Sequence, residues 1–247
     1  MAMKRKIPTI LIDKGRAVKT IEFGRKIYLG DPVNIAKIFS DLGADEIIYL
    51  DISKDRFNKE PDYGLLRRIA RQCSMPMTYG GGICNTKQAK AILALGIEKI
   101  STQTYTFQNG SFLAELAHEI GVQSTLLSVD VRDAHNGQNY EVFDRANKQY
   151  IALDHFIENL SNPDVGEVIV THMGRDGMKT GPDLNLIKML RNHIKQPMIY
   201  SGGVFEDRCF DAAFAAGADA VAASSHFVLK GTEKSILISY PKPSWQL

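Results

Sequence analysis

Short apolar runs rich in β-favouring residues alternate along the chain with stretches whose apolar residues recur at helical spacing. Runs of the first kind predict eight strands, at residues 7–12, 47–51, 77–79, 99–101, 124–130, 167–171, 198–201 and 218–223. Stretches of the second kind predict helices between most of them, at residues 32–42, 64–73, 87–95, 111–119, 184–193 and 207–216. Strands that alternate with helices are typical of parallel βα units.

The second half of the chain repeats the first half. The motif Thr-Tyr-Gly-Gly-Gly-Ile at residues 78–83 returns as Ile-Tyr-Ser-Gly-Gly-Val at residues 199–204. Four βα units in each half predict a (β/α)8 TIM barrel built from two similar half-barrels, with its functional groups at the C-terminal ends of the strands. A doubly wound open sheet is the alternative. The 247 residues fit one such domain, spanning 1–247.

Composition narrows the class of protein. The 30 basic and 28 acidic residues are too balanced for a nucleic-acid-binding footprint. The three cysteines are far apart, which offers neither a disulfide framework nor a metal motif. No dinucleotide-binding or Walker motif occurs, so we expect no cofactor and no metal. With no signal sequence and no apolar stretch of about 18 residues, we expect a cytoplasmic protein without membrane contact.

Two glycine-rich turns follow the third and seventh predicted strands, and small hydroxyl residues follow the strands beside them. Exposed backbone amides and hydroxyls bind phosphate without net positive charge, although a glycine pair alone also fits a plain turn. Their duplication predicts a ligand with two phosphates. The predicted ligand-binding residues are Asp51, Gly81, Gly82, Thr104, Thr171, Asp176, Gly177, Gly202, Gly203, Ser224 and Ser225.

Aspartates at strand ends are candidates for general acid–base chemistry. Asp130 closes the fifth predicted strand and is the first candidate; a helix cap or a salt bridge with Arg132 is its structural alternative. The repeat predicts a second carboxylate at the end of strand one, where Leu11 stands instead. Asp13, two residues further on, keeps the same strand parity and is the candidate substitute.

Two other residues near the predicted rim have side chains suited to catalysis. Each of them also has a plain structural interpretation. Lys19 lies in the long polar segment 14–30, whose length is more typical of a mobile active-site loop than of a plain connection. We take Lys19 as a catalytic candidate, with a solvated lysine as the alternative. His172 could act as an acid or base, but a lone histidine is more often an ordinary polar loop residue.

Four charged residues fall at the opposite ends of the strands, where a barrel's stability is usually secured. They are Arg5, Glu46, Lys99 and Glu167. A salt-bridge cluster that only stabilises the barrel is one interpretation. A neutral plug that opens to pass a small polar molecule is the other.

From Lys4 to about Phe227 the chain resembles the HisF family, the cyclase subunit of imidazole glycerol phosphate synthase. The matching motifs are Gly15-Arg16 with Val18-Lys19, Gly30-Asp31-Pro32, Gly43-Ala44-Asp45-Glu46, Leu50-Asp51-Ile52, Gly80-Gly81-Gly82-Ile83, Val129-Asp130, Gly166-Glu167, Arg175-Asp176-Gly177 and Gly202-Gly203. The resemblance implies a heterodimer with a HisH-like glutaminase on the bottom face. Ammonia would pass through the barrel to a bisphosphorylated ribonucleotide. It also implies that Asp130 is one of two catalytic aspartates and that the four charged residues form the ammonia gate.

Departures from the family pattern point to one of its branches. Leu11 replaces the other aspartate, Gln103 an asparagine, Gly174 an aspartate and Met178 a threonine, and prolines near the end predict a shortened final helix. These changes resemble the glycosyl-amidation (WbuZ-type) branch, which implies ammonia supply to a separate sugar amidotransferase in surface-polysaccharide synthesis. Three alternatives stay open: a true cyclase that uses Asp13, an inert scaffold that activates its glutaminase, and the sister isomerase of the histidine pathway.

Overall fold

The computed structural model describes residues 4–21, 24–53, 59–135, 137, 139–159, 164–231 and 235–241. The strands are β1 (Arg5–Asp13), β2 (Arg16–Thr20), β3 (Lys26–Gly30), β4 (Ile47–Asp51), β5 (Met77–Gly80), β6 (Lys99–Thr102), β7 (Thr125–Asp133), β8 (Tyr140–Asp144), β9 (Gln149–Ala152), β10 (Glu167–His172), β11 (Met198–Ser201), β12 (Ala220–Ala223), β13 (Leu229–Lys230) and β14 (Ser235–Ile236). The helices are α1 (Pro32–Asp41), α2 (Tyr63–Ala70), α3 (Thr86–Leu93), α4 (Thr104–Gln108), α5 (Phe112–Ile120), α6 (Leu153–Asn159), α7 (Leu184–Arg191), α8 (Asp207–Ala216) and α9 (Ser225–Val228). Single 3-10 turns span Val122–Ser124 and Met173–Arg175.

Within these residues, eight parallel strands close a barrel in the order β1, β4, β5, β6, β7, β10, β11 and β12. The last strand pairs with the first, with Arg5 opposite Ala220, which completes the closure. The two half-barrels meet where β6 pairs with β7 and where β12 pairs with β1. The predicted (β/α)8 barrel is therefore confirmed. No helix in the described part of the chain is long and apolar enough to cross a membrane.

Alternation along the strands separates two apolar layers. Side chains on the outer face pack with the helices in the main core, which includes the fully buried Ile10, Ile47 and Tyr49. Side chains on the inner face form a smaller aliphatic layer inside the barrel. This inner layer consists of Ile7, Ile48, Leu126, Ile169, Ile199, Ala220 and Ala222.

The first helix begins where the sequence predicts. Asp31 is its N-cap, and its carboxylate accepts hydrogen bonds from the amides of Val33 and Asn34 at 2.7 and 3.3 Å. Pro32 takes the first helical position, where its missing amide donor costs nothing. This cap fixes the start of the helix that follows the first hairpin.

Two antiparallel hairpins correct the sequence prediction at the top of the barrel. In the described part of residues 14–30 the chain forms a hairpin and not an irregular loop. β2 pairs with β1, with Leu11 opposite Val18, and β3 pairs with β2. A second hairpin, β8 and β9, extends from β7 in the same way and was not predicted. Each hairpin rises from the first strand of a half-barrel, so the inserted segments are themselves part of the repeat.

The end of the chain confirms the shortened final helix. After α9, which has four residues, the chain forms the small β13–β14 ribbon and runs back along the barrel. Tyr240 stacks on Phe227 with ring centroids 5.5 Å apart. Its hydroxyl donates to the carbonyl of Lys6 at 2.8 Å and accepts from the amide of Asp45 at 3.1 Å. The tail is thereby fastened to the strand entrances of the barrel.

Candidate active site

A cavity of about 360 Å³ opens at the C-terminal ends of the barrel strands. Nine of the predicted catalytic and ligand-binding residues line it, although they come from distant parts of the chain. They are Lys19, Asp51, Gly81, Gly82, Thr104, Asp130, Thr171, Asp176 and Ser224. Closure of the barrel brings these strand ends together, as the position rule for such barrels predicts.

Asp130 is buried in this cavity and is bound by Arg145. The Arg145 guanidinium donates to one carboxylate oxygen from Nε at 2.8 Å and from Nη2 at 2.5 Å. Nε also donates to the side-chain oxygen of Gln103 at 3.0 Å. The alternative partner considered from sequence, Arg132, is wrong, since Arg132 binds Glu141 across the hairpin at 2.8 Å. Sequence reasoning missed Arg145, which follows β8 in a hairpin that it did not anticipate.

The first hairpin places Lys19 inside the cavity. Lys19 is only 1% exposed, and its Nζ donates to both oxygens of Asp176 at 3.0 and 2.8 Å. The alternative of a solvated lysine is therefore wrong. The contact joins β2 to the loop after β10, so it ties the first hairpin down across the mouth of the barrel.

Leu11 occupies the cavity wall where the repeat predicts a second carboxylate. It lines the cavity and pairs in register with Leu50, which also lines it. Asp13 is not among the lining residues of the described chain; it ends β1 beyond the rim and binds Lys26 Nζ at 2.7 Å. Strand parity is as expected, but two residues carry Asp13 into the turn towards β2. Lys26 itself reaches the cavity.

The two glycine turns differ in what they present to the cavity. Gly81 has a φ of +113°, and a Cβ there would lie 2.2 Å from the carbonyl oxygen of Asp51. Only glycine permits this close approach, which leaves Gly81 and Gly82 on the cavity wall. In the second turn, a Cβ on Gly203 would lie 2.1 Å from the carbonyl oxygen of Gly181. The backbone of this turn therefore packs against the backbone at Gly181.

Four predicted phosphate residues do not reach the cavity wall among the described lining residues. They are Gly177, Gly202, Gly203 and Ser225. At the second site the cavity is lined by the predicted Ser224 and by Ser201, the residue just before the glycine pair. Ser225 begins α9 and is buried.

The four charged residues at the strand entrances form a closed ring. Arg5 binds Glu46 and Glu167 through separate nitrogens at 2.5 and 2.6 Å. Lys99 binds the same two carboxylates at 3.0 and 3.1 Å. Burial works to lower the pKa of Arg5, but hydrogen bonds and charge from Glu167 and Glu46 outweigh it and raise that pKa. The ring therefore pairs two basic side chains with two acidic ones, so their formal charges cancel.

The ring and the cavity lie on opposite sides of the inner aliphatic layer. Thr78 Oγ1 donates to Glu46 at 3.0 Å from within the barrel, just above the ring. Ile48 and Ile169 belong to the layer and also form the floor of the cavity. An apolar layer therefore separates the charged ring from the polar chamber.

A two-half (β/α)8 barrel with a polar chamber at its strand ends is the class of protein that the fold and site define. The family described as "Histidine biosynthesis protein" matches residues 5–232. The chain therefore belongs to this family.

Curated relatives cover nearly the whole chain. A Leptospira interrogans protein named "Putative imidazole glycerol phosphate synthase subunit HisF" is 37% identical over 244 residues, which cover 98% of this chain and 96% of the relative. A Vibrio vulnificus protein named "Putative imidazole glycerol phosphate synthase subunit hisF3" is 37% identical over 250 residues, covering 99% and 95%. "Imidazole glycerol phosphate synthase subunit HisF" of Exiguobacterium sibiricum is 35% identical over 229 residues, covering 92% and 91%.

Proposed function

We propose that this chain is a HisF-type barrel that conducts ammonia from a HisH-like glutaminase for amidation of a surface-polysaccharide sugar, and that it does not complete the cyclisation of histidine synthesis. The observation that carries the proposal is Leu11 in the wall of a cavity that lies above an intact charged ring. Conduction of ammonia needs the ring and a way through the inner aliphatic layer, whereas cyclisation also needs two acid–base groups.

The ring and the aliphatic layer together suit a neutral molecule of ammonia's size. Arg5 and Lys99 each bridge both carboxylates, so a charged species meets an already balanced set. Above the ring, the aliphatic side chains of Ile7, Ile48 and Leu126 disfavour an unpaired ion strongly. The free-energy cost of desolvation on entering that layer is much smaller for uncharged ammonia than for ammonium.

In this proposal the glutaminase binds the face that carries the ring. The relatives are named as subunits of a synthase, which supports a partner subunit for this chain. Ammonia released on that face would enter beside Arg5 and Lys99. The tail held by Tyr240 at Lys6 and Asp45 borders the same face. We therefore expect a heterodimer with the partner's active site facing the ring.

The chamber at the top supports binding of a bisphosphorylated ribonucleotide. Backbone at Gly81 and Gly82 and the hydroxyl of Thr104 form one wall, and Ser201 and Ser224 form another. Three cations, at Lys19, Lys26 and Arg145, also reach the chamber, each paired with an aspartate, and can offer charge-assisted hydrogen bonds to a phosphate. Two groups of neutral donors with interspersed cations fit a ligand with a phosphate at each end.

The second candidate function is a true cyclase in which Asp13 supplies the missing group. The Asp13 carboxylate instead binds Lys26 beyond the rim, and Arg145 holds the remaining Asp130. Loss of one general acid or base lowers a rate by about 10²- to 10⁴-fold. These contacts favour the ammonia-conducting function over the cyclase.

Genetic complementation tests the proposed function. Expressed in a bacterium that lacks its own HisF, this chain should fail to restore growth without histidine, while a HisF with both aspartates restores it. Deletion of the gene in its own organism should leave growth without histidine unchanged and remove the amidated sugar from the surface polysaccharide. Restored growth in the first strain, or a histidine requirement in the second, would contradict the proposal.

A further inference from the structure

Three potential metal ligands meet outside the cavity, beyond the C-terminal ends of two neighbouring barrel strands. Asp133 ends β7, His172 ends the neighbouring strand β10, and Asp183 is the N-cap of α7. One ligand atom from each lies within 4.8 Å of the others. None of the three is among the described residues that line the cavity, so this cluster is separate from the site above.

Apart from an edge-to-face contact with the Tyr140 ring, the His172 side chain faces only the two carboxylates among the described residues. Its side chain is 0% exposed, and neither ring nitrogen makes a hydrogen bond within the described part of the chain. Nε2 points between the carboxylates, 3.5 Å from Asp133 Oδ2 and 3.6 Å from Asp183 Oδ2. A buried polar group without a hydrogen bond is costly and calls for an explanation.

We propose that Asp133, His172 and Asp183 bind a divalent cation of the zinc class. Ligands about 2.0 to 2.2 Å from a tetrahedral ion lie about 3.3 to 3.6 Å from one another, so both histidine–carboxylate separations already suit such an ion. Two carboxylates balance its charge. One imidazole with two carboxylates suits zinc or manganese better than magnesium or calcium, which prefer oxygen ligands alone.

The neighbours of Asp183 prepare it for this role. Its Oδ1 accepts the amides of Asn185 and Leu186, which fixes the carboxylate to the start of α7. Tyr140 donates its hydroxyl to Oδ2 at 3.1 Å, the kind of outer contact that orients metal ligands. Arg175 Nη2 lies 3.4 Å from the same oxygen and is the one cation recorded beside the cluster in the described chain. The two carboxylates balance the divalent ion alone, so the charge of this arginine would work against binding of the ion.

The cluster is accessible to an ion and a completing water. The Asp133 side chain is 61% exposed, so solvent reaches the cluster from that side. A bound ion would join the ends of β7 and β10 to the start of α7. Thr171 and Asp176, on either side of the intervening turn, line the cavity. The cation therefore positions the loop that meets Lys19, and it touches no reacting group.

Zinc uptake by the full chain tests the proposal. Protein treated with a chelator is dialysed against Zn²⁺ with the Asp133→Asn variant and with Asp211→Asn, a matched change on the exposed outer face of α8. We expect one zinc per chain in the unchanged protein and in Asp211→Asn. Affinity should fall at least about tenfold in Asp133→Asn, whose exposed position spares the fold.

Cobalt reports the ligand set directly. Co²⁺ in place of zinc should give the intense visible absorption of a four-coordinate site in the unchanged protein and in Asp211→Asn, and weak absorption in Asp133→Asn. Failure of the unchanged protein to bind zinc would overturn the proposal. Equal zinc affinity in Asp133→Asn would do the same, because it would place the ion elsewhere, for example on the cysteines.

Discussion

Asp130 and Arg145 form a two-donor ion pair inside the barrel, with one carboxylate oxygen 2.5 Å from Nη2 and 2.8 Å from Nε. Asp130 comes from a barrel strand and Arg145 from the hairpin above it. The pair occupies an oxygen that a general base would use. A ligand phosphate that attracts Arg145 would release the carboxylate, so the occupancy of the chamber and the state of Asp130 are linked.

The strength of this ion pair is the first prediction. Arg145→Met leaves the buried Asp130 carboxylate without its cation, and we expect the free energy of unfolding to fall by about 3 kcal/mol. Asp130→Asn removes the charge that needs a partner, so the double variant should be closer to the unchanged protein than the sum of the single effects. Urea denaturation measures all four proteins. Arg132→Met, which removes the pair with Glu141 and the contact with the Tyr150 ring on the same hairpin but does not touch Asp130, is the control. Additive effects of the first two changes would contradict a direct pair.

Restoring the missing carboxylate is the second prediction. Leu11→Asp places an acid in the cavity wall across from Asp130, and we expect cyclisation of the aminoimidazole-carboxamide ribonucleotide with ammonium salt to rise by about 10²- to 10⁴-fold. Leu11→Asn is the control, because an asparagine side chain has nearly the same shape as aspartate but no titratable group. If both variants behave alike while still binding the ribonucleotide, Leu11 is not what limits cyclisation.

The charged ring gives the third prediction. Lys99→Met keeps the length of the side chain but removes the cation that bridges Glu46 and Glu167. In the complex with its glutaminase, glutamine hydrolysis should continue while a larger share of the ammonia escapes to solvent, measured as free ammonia per glutamate formed. Lys90→Met, which removes an exposed pair with Glu119, should leave that ratio unchanged. An unchanged ratio in Lys99→Met would rule out conduction through the ring.

The first glycine turn gives the fourth prediction. Gly81→Ala brings a Cβ to 2.2 Å from the carbonyl oxygen of Asp51, so the turn must shift and the chamber wall with it. Gly96 also has a positive φ but has open space around its Cβ position. Gly96→Ala should therefore cost only about 1 to 2 kcal/mol of backbone strain, and Gly81→Ala clearly more. Thermal unfolding compares the two; equal losses would mean that the close approach at Gly81 relaxes freely.

The sequence predicts the barrel well because its signal is repeated. Strand β4 is found at the predicted residues 47–51, and α1 begins at residue 32 as predicted, with Asp31 as its cap. Lys19 and Asp176 meet as parts of one cavity because strand ends converge in any closed barrel. These features follow from the spacing of apolar residues and from the order of strands and helices, both of which can be read from a single sequence.

The remaining features depend on segments inserted between the repeated units. Arg145 follows β8, in a hairpin that is not one of the eight barrel strands. The barrel pattern therefore gave no reason to place Arg145 beside Asp130. Parity placed Asp13 on the correct side of β1, but the turn into β2 takes it past the rim. The cluster of Asp133, His172 and Asp183 joins two strand ends and a helix cap, a combination that no local spacing marks.

Turnover of the aminoimidazole-carboxamide ribonucleotide by the purified barrel, with excess ammonium salt and followed by absorbance, tests the central claim most directly. Asp130→Asn is the matched variant, and binding of the ribonucleotide is measured on the same samples. We expect binding without steady turnover in either protein. Steady turnover that disappears in Asp130→Asn would establish a working cyclase and contradict the proposed function.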